Sequence, residues 1–84
     1  MPIHISEATE AAIRTALLRH KCYRLTHDEH APAELRATAR ALGRTLDVIA
    51  VLRGTRRDAS VLHARAKALE ARLAGMGVAA GAGG

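Results

Sequence analysis

Four donor side chains crowd one stretch of the chain, His20-x-Cys22-x4-His27-x2-His30, with Asp28 and Glu29 among them. Zinc accepts thiolate and imidazole in this number and kind. The spacing is neither of the recurrent C-x2-C or H-x3-H patterns, and a helix running through both residues sends His20 and Cys22 to different sides. No metal is therefore expected, and a metal-binding helical protein using His20, Cys22, His27 and His30 stands as the second alternative. Cys22 could act as a nucleophile only with His20 or His27 as its base and a donor for the developing oxyanion, which nothing nearby supplies. Beside Leu18 and Leu25 it reads as a small core residue. No catalytic residue, no cofactor and no small-molecule substrate are expected, and the protein is read as no enzyme.

Arginine is the second candidate chemistry, because its planar fork fits carboxylate and phosphate alike. Arg36, Arg40 and Arg44 recur at helical spacing, and Arg53, Arg56 and Arg57 gather around Gly54. These six are the candidate partner- or anion-binding residues. Lys plus Arg outnumber Asp plus Glu by 13 to 8, giving a net charge of +5, and a basic domain is drawn to nucleic acid, an anionic membrane or an acidic protein face. Two plainer readings stand beside this one. Ala, Arg and Gly fill 37 of 84 positions, as a high-GC coding bias alone would produce, and a solvated helix face or the C-terminal end of a helix dipole also accommodates such arginines. Single-stranded nucleic acid is disfavoured because stacking platforms need several aromatics, and Tyr23 is the single one.

Between Leu35 and Gly54, the spacing Ala39-x3-Gly43-x5-Ile49-x2-Leu52 resembles the helix-turn-helix of bacterial and phage DNA-binding regulators. The resemblance implies a turn at Gly43, close helix approach at Ala39 and a recognition helix from Leu46 through Arg53. A small basic DNA-binding regulator with a degenerate helix-turn-helix near residues 38–53 is thus the first alternative. Thr38 and Arg44 depart from that pattern, and the same residues also read as one continuous helix with Leu46 in the core, which is the reading preferred.

The elements that must position these residues are helical. Ser6 reads as an N-cap with Glu7 and Glu10 in the first turn, and helix formers continue to about Arg24. Ile13 and Leu17 lie to one side of the charged row Glu10, Arg14, Lys21, while Leu18, Cys22 and Leu25 lie to the other, so this first helix has two apolar flanks. Pro32 occupies a first helical position with Glu34 in the first turn. Leu35, Ala39, Leu42, Leu46 and Ile49 follow at steps of four and three, the rhythm of a helix facing another helix, and Gly54 stops it. Thr55-x2-Asp58 is the start signal of a third helix, which carries Leu62, Ala66, Leu69, Leu73 and Met76 and ends near Gly75. The heptad phase slips by one residue between the two, which puts a break at 54–57. Helices 2 and 3 then form an antiparallel hairpin whose interface is Leu35, Leu42, Leu46, Ile49, Leu62, Leu69 and Leu73, with helix 1 packed across it.

The expected fold is all-α: one three-helix domain over 1–75 and a flexible Gly/Ala tail over 76–84. Ile3 and Ile5 are candidates for one short strand without an obvious pairing partner. Alanine supplies 19 of the apolar residues and Phe and Trp are absent. Such a core yields little stabilisation per residue, so self-association or a partner is expected. One cysteine excludes an internal disulfide, no stretch is long and apolar enough for a membrane span, and no signal peptide is apparent at the N-terminus. A cytoplasmic location follows as an expectation. The functional expectation is a non-enzymatic helical protein-binding module, an adaptor, chaperone-like subunit or inhibitor, with a protein partner, a second copy or nucleic acid as candidate partners.

Overall fold

The computed structural model describes residues 6–55 and 57–77. Among the described residues the architecture is all-α, with three helices in the order α1 (Glu7–Thr26), α2 (Ala33–Leu52) and α3 (Ser60–Gly75). Ile3, Ile5, Arg56 and the segment 78–84 lie outside the described residues, so the expectations of a short strand and of a flexible tail beyond Gly77 fall there too.

Local chemistry sets each boundary. Ser6 caps α1 by accepting the Thr9 N–H at 3.2 Å, and Glu7 and Glu10 sit in the first turn, where the helix dipole favours acids. The helix runs two residues past Arg24, to Thr26, whose hydroxyl donates to the Cys22 carbonyl. Between α1 and α2, the Asp28 side chain accepts the His30 N–H at 2.9 Å, folding the connection into a tight Asx turn. Pro32 is the residue before the first helical position of α2 rather than that position itself. The stop at the far end is as the sequence implies, with Gly54 left-handed at φ 88° and the Thr55 N–H bonded to the Leu52 carbonyl.

The Thr55-x2-Asp58 start signal is corrected. Thr55 faces backwards, its hydroxyl on the Leu52 carbonyl at 2.6 Å, and Asp58 alone serves α3, accepting both the Ser60 N–H and the Ser60 hydroxyl. Those two bonds hold the Asp58 carboxyl below its ordinary value.

α2 is the central element. Leu35, Thr38, Ala39, Leu42, Thr45, Leu46 and Ile49 are buried, a stripe about 120° wide at 3.6 residues per turn. The two threonines enter this core because their hydroxyls donate to the carbonyls four residues back, Glu34 at 2.9 Å and Ala41 at 2.8 Å. α1 packs against α2 with Cys22 buried and Leu18 and Leu25 half-buried. α3 packs against α2 with Ala66 and Leu73 buried and Leu62, Leu69 and Met76 half-buried. Arg72, in the last turn of α3, pairs with Glu34, in the first turn of α2, at 3.1 Å, the relation an antiparallel hairpin requires. α1 does not cross the hairpin as anticipated, because its backbone approaches α2 and not α3. α2 therefore carries one helix on each side of its buried stripe, and a trough remains between the two outer helices.

The helix runs unbroken through Gly43. No turn forms there, which removes the geometry of the helix-turn-helix over 38–53. Gly43 instead sits where α1 comes close, and an added Cβ would lie 3.5 Å from the Cys22 Cβ.

Candidate interaction site

Seven hydrophobic residues were expected to form the helix interface, and all of them pack inside the chain: Leu35, Leu42, Leu46, Ile49 and Leu73 buried, Leu62 and Leu69 half-buried against them. Any surface offered to another molecule must therefore use the flanks that this packing leaves open. α1 has two such flanks, because residues 14, 17, 18 and 21 fall on one side of its α2-facing row and residues 16, 19, 20 and 23 on the other.

The first flank borders the trough. Leu17 and Leu18 of α1, Leu46 of α2 and Ala66 of α3 form its apolar walls and floor, Arg14, Lys21, His63, Lys67 and Glu70 its rim, and its volume is about 650 Å³. Leu17 is 66% exposed and Ile13 48% exposed, an apolar edge that α2 does not cover. The sequence carried one signal for this feature, the displacement of Ile13 and Leu17 from the Leu18, Cys22, Leu25 side of α1. The α3 contribution, His63, Ala66, Lys67 and Glu70, was not legible, because it depends on where α3 docks.

The second flank forms a cleft of about 430 Å³ with α2, lined among others by Arg19, His20, Tyr23, Arg40, Arg44 and Asp47. Arg19 donates through Nε and Nη2 to one oxygen of Asp47, at 2.9 and 2.7 Å. Arg40 and Arg44, both exposed, project from successive turns of α2. Arg36 is half-buried one turn earlier. Arg53 and Arg57 are exposed around the α2–α3 turn, with Arg53 about 14 Å along the helix from Arg44 at 1.5 Å per residue. The candidate arginines thus divide into two groups, and Arg19, Tyr23 and Asp47 are the cleft residues that sequence reasoning did not single out.

The four candidate metal donors do not come together. Among the described residues no three His, Cys, Asp or Glu side chains converge on a point where an ion could sit. Cys22 is turned into the α1–α2 interface at 1% exposure, whereas His20, His27 and His30 are exposed, and His27 stands edge-on to Tyr23 with ring centroids 4.4 Å apart. Burial pushes the Cys22 thiol up to about 11, assisted by the negative charges of Glu70 and Asp47 and opposed by Lys21. A thiol so placed stays protonated at neutral pH, where it is neither a ligand nor a nucleophile.

No helix among the described residues is long and apolar enough to cross a membrane. No known protein family, curated protein or solved structure matches the chain.

Proposed function

We propose that the protein is a non-enzymatic protein-binding module whose trough between α1 and α3 receives an acidic amphipathic helix of a partner. One observation carries the reading: an apolar trough floored by Leu46 and walled by Leu17, Leu18 and Ala66 lies between two helices that both pack on α2 and whose backbones do not approach each other. A fourth helix laid there would complete a bundle, covering the apolar edge at Leu17 in the manner of helix-in-groove recognition. Charge decides the kind of helix. The rim carries the cations Arg14, Lys21 and Lys67 against the single carboxylate Glu70, so glutamates flanking the partner's apolar stripe are attracted and lysines repelled. The chain's own net charge of +5 opposes a second copy of itself as occupant. The role is then that of an adaptor or inhibitor, with selectivity in the rim and affinity in the floor.

Two synthetic amphipathic peptides test this, sharing a leucine stripe at helical spacing and differing only in flanking glutamates or lysines. The glutamate peptide is expected to bind at least ~10-fold more tightly by fluorescence anisotropy, about 1.4 kcal/mol, and Leu17→Asp, a change at an exposed position, is expected to abolish the difference while circular dichroism stays unchanged. Equal affinity of the two peptides, or no binding of either, overturns the proposal. A wild-type dimer in sedimentation that Leu17→Asp converts to monomer also overturns it, in favour of a second copy as the occupant.

A further inference from the structure

The α1–α2 cleft lies on the flank of α1 opposite the trough and has a different chemistry. Its acid, Asp47, stands three residues after Arg44, within reach on the same helix face, yet it is engaged by Arg19 from the other helix. That ion pair neutralises one cation and one anion and bridges α1 to α2. Arg40 and Arg44 are left at the cleft with no ion-pair partner among the described residues. Two cations four residues apart destabilise their own helix by mutual repulsion, and Arg36 extends the row by another turn. The opposite wall supplies the His20 imidazole and Tyr23, which is 64% exposed. The result is a concave surface with paired charge at Arg19 and Asp47, unpaired guanidinium groups at its edge and polar donors facing them.

We propose that this cleft binds the phosphate backbone of duplex nucleic acid, with Arg40 and Arg44 contacting successive phosphates and Arg36 extending the track. Guanidinium forks suit phosphate oxygens, which accept two parallel hydrogen bonds. A duplex presents one such charge every ~1.7 Å of its axis, so a row of cations on one helix can meet several at once. The cations at the cleft suit phosphate oxygens, and phosphate contacts carry no sequence information, so the binding is independent of sequence. A single strand is the weaker substrate, because its bases would find one stacking platform, Tyr23.

The test uses the full chain and a fluorescein-labelled DNA duplex of arbitrary sequence, about 20 base pairs long, titrated between about 50 and 200 mM salt. Wild-type protein is expected to bind at low salt and weaken steeply as salt rises. The double variant Arg40→Ala/Arg44→Ala is expected to lose at least ~10-fold in affinity at low salt and to reduce the salt slope by about 2, the share of two phosphate contacts. The charge-matched control Arg24→Ala/Arg65→Ala, at exposed positions outside the cleft, is expected to stay within about 2-fold, with circular dichroism confirming that both variants fold. Three outcomes overturn the proposal: no binding at low salt, equal loss in the two double variants, or tighter binding of the separated single strand than of the duplex. None of them bears on the trough, which the peptide experiment tests separately.

Discussion

A methyl group added at Gly43 would lie 3.5 Å from the Cβ of Cys22, the distance of an ordinary van der Waals contact. α1 therefore approaches α2 closely at this point without requiring a bare glycine, and Gly43 has no left-handed backbone. Glycine inside a helix is less favourable than alanine by roughly 0.5–1 kcal/mol. Gly43→Ala is expected to stabilise the protein by about that amount, raising Tm by several degrees in a domain of this size. A loss of stability in thermal or urea unfolding would mean that the α1–α2 contact is tighter than 3.5 Å implies.

Leu42 has no exposure at all, while Leu17 is 66% exposed. Truncating a buried leucine costs about 2–5 kcal/mol through lost transfer energy and an unfilled cavity, a large part of the whole stability of a small domain. Leu42→Ala is expected to unfold the protein or lower its urea midpoint by that measure, and Leu17→Ala is expected to change it by less than about 0.5 kcal/mol. Similar effects of the two substitutions would show that Leu17 is covered in solution and that the trough is occupied.

The Cys22 thiol, raised from 9.0 to about 11 in the fold by burial and by Glu70, ties stability to alkaline pH. In the unfolded chain the thiol loses its proton at lower pH than in the native state, so between pH 9 and pH 11 the unfolded state binds fewer protons and stability falls as pH rises. The contribution is fully present below the unfolded value and is lost as pH passes through the folded one. Wild-type protein is expected to lose stability across this window more steeply than Cys22→Ala, since the two proteins differ in this thiol alone. Alkylation with iodoacetamide near pH 8 is expected to be slow until urea unfolds the chain. Parallel curves for the two proteins, or rapid alkylation of the native form, would place the thiol outside the core.

Much of the architecture was legible in the chain. Ser6 before two glutamates, Pro32 before Glu34, and Gly54 after Arg53 announce helix ends through caps, dipoles and left-handed turns, all of which are local. The four-and-three spacing of Leu35, Leu42, Leu46 and Ile49 set the face of α2 that is buried, because periodicity translates directly into one side of a helix. Thr38 and Thr45 escaped that reading. A threonine counts as polar in a pattern, and only a hydroxyl turned back onto the carbonyl of Glu34 or Ala41 makes it a core residue.

What lies beside what was settled by tertiary structure. The spacing of Ala39, Gly43 and Ile49 permits both a turn and a continuous helix, and the continuous helix prevails as α2 gathers both neighbours along one stripe. Likewise His20, Cys22, His27 and His30 are close in sequence but part company, since burial takes the thiol inward and leaves the imidazoles at the surface. Arg19 and Asp47, 28 residues apart, meet at 2.7 Å, and Leu17 and Lys67 come to line one trough. The sequence by itself determined the helices and their buried faces, because hydrogen bonding, capping and hydrophobic periodicity act over a few residues. The trough and the cleft depend on how α1 and α3 sit on α2, and that placement follows from side-chain volumes such as Ala39, Gly43 and Cys22 meeting across two helices, which no local pattern records.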